Sequence, residues 1–104
     1  MDDLDQDEMM EYLSTQMTPE RAILKVVEEA NELAEKAIKW HNKPVDKKPS
    51  YEDLLEEFGD LALRFALFSL CLKIDLDKLG DGVEERVDNK LKQLYIYFKG
   101  KEAK

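Results

Sequence analysis

The chain has 104 residues, 43% of them hydrophobic, enough for one domain with a core but small enough to leave apolar surface for association. With 24 acidic against 16 basic residues the formal net charge is −8, so neither nucleic acid nor a bare membrane surface is an expected partner. The single cysteine, Cys71, rules out an internal disulfide or a thiolate cluster, and within FALFSLCLK it is expected to fill core space.

Residues 1–17 form an acidic leader. It begins MDDLDQDEMM, with acids where a signal peptide carries a basic region, so a cytoplasmic location is expected. Its apolar residues are few (Leu4, Met9, Met10, Tyr12, Leu13), which predicts a short helix or a disordered segment. Thr18 and Pro19 then supply a cap and a first helical position. Ile23, Val26, Val27, Ala30, Leu33, Ala34, Ala37 and Ile38 recur at helical spacing, and the pattern predicts a helix to about His41. The stretch NKPVDKKPS reads as a loop between antiparallel helices, and Ser50 with Asp53 resembles a capping box. The next helix runs from Tyr51 to about Lys73. Beyond Asp60 its run LALRFALFSLCL is apolar nearly all round, as for a helix surrounded by partners, yet it contains Arg64 and is too short to span a membrane. A third long helix is predicted after Asp75 from Leu76, Leu79, Val83, Val87, Leu91 and Leu94, with a kink or break at Gly80 to Gly82. No repeat and no strand signal is present. The expected fold is an all-α bundle of three long helices plus a short N-terminal one, completed by oligomerisation, with a domain over 18–98 and a polar tail over 99–104.

The second long helix carries Asp53, Glu57, Asp60, Arg64, Leu67 and Cys71 at spacings of four, three, four, three and four, which is one longitudinal stripe. Its far end is core, so Glu57 and Asp60 at the near end are expected to point into the bundle, where acids need compensation. On the preceding helix, KVVEEANELAEK places Glu29 at the border of the apolar stripe and Glu32 just beyond it, with Glu28 and Glu35 toward the opposite side. Counted from the intervening loop, the two acid pairs differ in height by about 6 Å, roughly one helical turn. Folded antiparallel, they meet. Four close carboxylates do not all stay ionised without cations. All-oxygen ligation selects a hard ion, Mg²⁺ with Mn²⁺ as substitute, and four charges suit about two such ions per site.

These residues resemble the all-α NTP pyrophosphohydrolase superfamily, the MazG-like enzymes with their dimeric dUTPase and phosphoribosyl-ATP pyrophosphohydrolase relatives. The family pattern, E-E-x-x-E, a spacer, then E-x-x-D, stands here as Glu28-Glu29-Ala30-Asn31-Glu32 and Glu57-Phe58-Gly59-Asp60, and the resemblance covers about residues 19–98. It implies a MazG-like four-helix bundle in which Glu29, Glu32, Glu57 and Asp60 hold Mg²⁺. Glu28 and Glu29 are implied as catalytic, Glu28 lying behind the metal ligands or orienting water. The implied reaction cleaves a nucleoside triphosphate between the α and β phosphates, giving a monophosphate and pyrophosphate, with bridging metals aligning water for in-line attack. House-cleaning of the nucleotide pool is one role for it, and phosphoribosyl-ATP cleavage is the alternative within the same chemistry. The expected assembly is a homodimer or homotetramer with the second long helix at the seam.

Substrate-binding candidates surround this cluster. Trp40, about three turns beyond Glu29, is a base-stacking candidate or a cover for the bundle end. Arg64 either meets a phosphate or neutralises Asp60. Lys43, with Lys47 and Lys48, belongs to a solvated loop within reach of phosphate. The family's basic contact near the end of its last helix is matched by Arg86, Lys90 and Lys92 without a favourite. His41, the only histidine, reads as a solvated helix end, and its solitude argues against a di-iron bundle. Tyr95, Tyr97 and Phe98 are expected to pack the end of the last helix or a subunit seam. A non-catalytic acidic interaction module, with its carboxylates solvated, is the rival from another class.

Overall fold

A computed structural model describes residues 5–44, 48 and 50–102. They form four α-helices, α1 (Gln6–Thr15), α2 (Pro19–Asn42), α3 (Tyr51–Cys71) and α4 (Leu76–Glu102), with no strand among the described residues. The all-α class is as the sequence predicts. No helix of the described residues is long and apolar enough to cross a membrane. The chain divides into two compact units, Met1–Lys73 and Ile74–Lys104.

In the first unit each helix opens on a side-chain cap. Asp5 accepts from the Glu8 amide at 2.7 Å, and Thr18 accepts from the Arg21 amide at 3.2 Å with Pro19 in the first turn of α2. At α3 the box is reciprocal: Ser50 Oγ accepts from the Asp53 amide at 3.2 Å and Asp53 accepts from the Ser50 amide at 3.0 Å. These bonds from the Ser50 backbone and hydroxyl hold the Asp53 carboxyl below its usual range. Helix α3 ends in a turn where Lys73, at φ 63, adopts the left-handed conformation that glycine accepts more readily.

The leader, expected as a short helix or disordered, is helical from Gln6 to Thr15, and α1 packs against α3. That contact changes the reading of Cys71. Its side chain is half-buried, and its thiol donates at 3.6 Å to the Ser14 carbonyl and at 3.9 Å to that of Met17, so it seats the leader instead of filling the hairpin core. The fully covered apolar positions are Ala22 on α2 and Leu67 on α3. Ser69 is also buried, its hydroxyl satisfied by the Phe65 carbonyl at 2.9 Å. Phe58, Leu63 and Phe65 on the same helix and Leu72 just after it stay exposed, as does Leu24 on α2.

In the second unit α4 is a continuous helix of 27 residues. Asp75 caps it, its carboxylate accepting from the Asp77 and Lys78 amides at 2.9 and 3.3 Å. The helix is not broken at Gly80 to Gly82, and neither glycine adopts a positive φ. The helix also continues through residues 99–102 of the expected polar tail. Val83, Val87, Leu91 and Leu94 are exposed. Tyr95, Tyr97 and Phe98 are exposed on this chain, with Tyr97 and Phe98 meeting edge to face at 5.2 Å.

Candidate metal centre

The register of α2 against α3 decides what the charged stripes meet. Lys36 acts on Asp53 and Glu57, Glu29 meets Glu57 and Asp60, and Arg21 and Lys25 share a cavity with Arg64. Rising numbers on α2 thus match falling numbers on α3, an antiparallel hairpin. The height difference estimated from the sequence closes within it.

At the centre, one carboxylate oxygen each of Glu29, Glu57 and Asp60 lie within 4.8 Å of one another. Glu29 and Glu57 are half-buried and Asp60 is exposed. One oxygen of Glu29 and one of Glu57, the Oε2 atoms, are sealed from solvent and have no hydrogen-bond partner. A sealed carboxylate oxygen without a donor is costly.

Glu32 is exposed and joins the cluster from the next turn of α2. The Glu29 charge raises its carboxyl pKa, with burial and a hydrogen bond shared with Glu29 adding to the rise and a contact with Glu57 opposing it. The Glu57 pKa is raised first by desolvation of its own carboxyl and then by Glu32, against a small opposing pull from Lys36. Both shifts have the direction expected when like charges converge without a cation. Three of the four predicted ligands, Glu29, Glu57 and Asp60, are therefore brought together, with Glu32 exposed on the next turn of α2. Glu28 stands apart, its carboxylate ion-paired with Lys25 at 3.1 Å and both side chains about half exposed.

The donor set fits a hard divalent cation: oxygens only, two of them desolvated and unpartnered, with no histidine or cysteine among them. The surrounding candidates are more scattered. Trp40 is exposed near the end of α2, with Lys48 Nζ 3.9 Å from its ring centroid and also donating to its backbone carbonyl. Lys48 is thereby half-buried against Trp40 and not part of a solvated loop. Lys43 is exposed and closes α2 through its amide, which donates to the Lys39 carbonyl at 3.0 Å. Lys47 lies outside the described residues. His41 is exposed, its Nδ1 2.9 Å from the Asn42 side-chain oxygen.

Arg64 forms no ion pair with Asp60; it lines a cavity with Arg21 and Lys25. Arg86 and Lys90 stand four residues apart on α4, in the second unit, where Lys92 pairs with Asp88 at 2.9 Å. Arg21, Lys25 and Lys36 were not among the sequence-derived site residues. Their signal was present all the same, since they extend the stripe of Glu29 and Glu32 along α2 at helical spacing. Comparison with protein-family models, curated proteins and solved structures gives no match.

Proposed function

We propose that the protein is a Mg²⁺-dependent nucleoside triphosphate pyrophosphohydrolase, cleaving between the α and β phosphates. The observation that carries this reading is the pair of solvent-sealed, unpartnered oxygens on Glu29 and Glu57, inside a cluster that Asp60 completes. Such an arrangement is unfavourable for a bare protein and favourable around a divalent cation.

Glu29, Glu32, Glu57 and Asp60 would hold the metal, Mg²⁺ or Mn²⁺, at about two ions for four carboxylates. Mg²⁺ bound there supplies positive charge to the polyphosphate oxygens and Lewis acidity toward water. The hairpin contributes position, because the two acid pairs sit on helices and each is fixed relative to the other by packing around Ala22 and Leu67. Glu28, paired with Lys25 at the solvent edge, stays outside the cluster and behind the ligands. The water oxygen bonds to the α phosphorus and releases a proton to solvent, the bond from that phosphorus to the α–β bridging oxygen breaks, and pyrophosphate leaves with the bridging oxygen. Trp40 at the loop end of α2 is the candidate platform for the base. A homodimer or homotetramer seamed along α3 would cover Phe58, Leu63 and Phe65.

Pyrophosphate release from a panel of natural and damaged nucleotides, phosphoribosyl-ATP included, with and without Mg²⁺, tests the reading. Metal-dependent release that Asp60→Ala abolishes is expected. Absence of release from every nucleotide, together with no effect of Mg²⁺ on melting, would leave an acidic interaction module.

A further inference from the structure

Beside the carboxylate cluster, still within the first unit, lies a cavity of about 360 Å³ lined by Gln16, Met17, Arg21, Leu24, Lys25 and Arg64. Three of these side chains are cationic, in a chain of net charge −8. Arg21 and Lys25 are one turn apart on α2, where like charges repel. Lys25 is neutralised by Glu28. Among the described residues no carboxylate pairs with Arg21 or Arg64, although Asp60 lies one turn from Arg64 on α3.

We propose that this cavity is an anion subsite, with the Arg21 and Arg64 guanidinium groups binding the terminal phosphates of a polyphosphate and the pyrophosphate that departs. It rests on the reading of the adjoining carboxylates as the hydrolytic site. A guanidinium presents a planar fork of donors that matches phosphate oxygens and stays charged at any working pH. The cavity volume falls in the range of small-ligand sites. Arg64 is four residues from Asp60, about 6 Å along the axis, so a chain of phosphates whose α group lies at the carboxylates reaches the arginines with its far end. The same register sets the polarity of the substrate: the leaving group points toward the start of α2 and the nucleoside toward Trp40 at its end.

Inorganic pyrophosphate is the probe, titrated by calorimetry with and without Mg²⁺ into the wild-type protein and into Arg21→Gln, Arg64→Gln and the double variant. Each single change is expected to weaken pyrophosphate binding about tenfold or more, as loss of a charge-assisted hydrogen bond does. The KM for the nucleotide is expected to rise in parallel. Arg64→Lys, which keeps the charge and loses the fork, should restore only part of the affinity. Arg21 is exposed, so Arg21→Gln keeps the test open should Arg64→Gln impair folding. Wild-type pyrophosphate affinity in the double variant would overturn the subsite even if Mg²⁺-dependent hydrolysis is found. If no nucleotide is cleaved but pyrophosphate binding still depends on both arginines, the anion subsite stands and the hydrolytic reading falls.

Discussion

Replacing Glu57 by glutamine separates a metal centre from a chance gathering of acids, because the two respond with opposite signs. In the metal-free protein Glu57 has one oxygen sealed from solvent without a donor, and its pKa is raised by its own burial and then by Glu32. Glutamine keeps the shape, removes one charge, and brings an amide that donates to a neighbouring carboxylate. Glu57→Gln should therefore melt above the wild type in EDTA, by about 6 to 12 °C if one hydrogen bond to a charged acceptor contributes about 1.5 kcal/mol in a domain of this size. Mg²⁺ reverses the order. A ligand at a hundred times its dissociation constant stabilises the binding state by about 2.7 kcal/mol, which corresponds to a rise of roughly 10 to 20 °C for a small domain. The wild type should show that rise and Glu57→Gln should lose most of it. Differential scanning fluorimetry over a Mg²⁺ titration reads both effects. A variant that melts below the wild type in EDTA, or one that keeps the full Mg²⁺ response, would refute the reasoning.

The raised pKa values of Glu32 and Glu57 also fix a pH dependence. The native state holds these protons more tightly than the unfolded chain, so their contribution is fully present below the ordinary carboxylate range near pH 4 and is lost as pH rises through the raised values. Urea midpoints in EDTA should show that decline, less steeply in Glu32→Gln. Asp53 acts in the opposite sense, its lowered pKa contributing above the ordinary range and losing that contribution on acidification. Ser50→Ala should cost about 1 kcal/mol by removing the hydroxyl half of the capping box at α3, read as a drop in urea midpoint. Leu67→Ala, at a side chain 2% exposed, should cost about 2 to 5 kcal/mol and lower the midpoint further. Gly80→Ala and Gly82→Ala should each stabilise α4 by about 0.5 to 1 kcal/mol, since the helix is continuous and open space surrounds both; reduced ellipticity at 222 nm would show a break instead.

The hairpin and its acid pairs were readable in the sequence because helical period, Thr18-Pro19 and Ser50 with Asp53 set element ends, and those ends fix register. Once the register is set, the meeting of Glu29 and Glu32 with Glu57 and Asp60 follows from rise per residue alone. The departures come from interactions that periodicity does not encode. The leader is helical because Asp5 caps it and the end of α3 offers it a surface that includes Cys71, a contact between residues more than fifty positions apart. The glycines of α4 looked like breakers because glycine propensity was weighed without the rest of a long helix, which continues through them. For Arg64 the sequence left two readings open, a phosphate or Asp60, because i,i+4 spacing gives proximity but not the rotamer; the ion pair is not formed and Arg64 lines the cavity with Arg21.

That last departure bears on the whole face. Along the facing stripes of α2 and α3 the charges segregate: Arg21, Lys25 and Arg64 at one end, then Glu29, Glu32, Glu57 and Asp60, with Lys36 beyond. A hairpin selected for stability alone would interleave these signs, and Arg64 with Asp60 is the cheapest available pair. Leaving the bands separate sets local preference against packing, the kind of conflict retained where a ligand resolves it. On the proposed function, a metal–polyphosphate complex would resolve both bands together, presenting cations to the acids and oxygens to the arginines. A double-mutant cycle on stability with Asp60→Asn and Arg64→Gln should therefore give a coupling energy near zero in the metal-free protein. A favourable coupling of about 0.5 kcal/mol, as a formed i,i+4 ion pair gives, would mean that the bands neutralise one another and need no ligand.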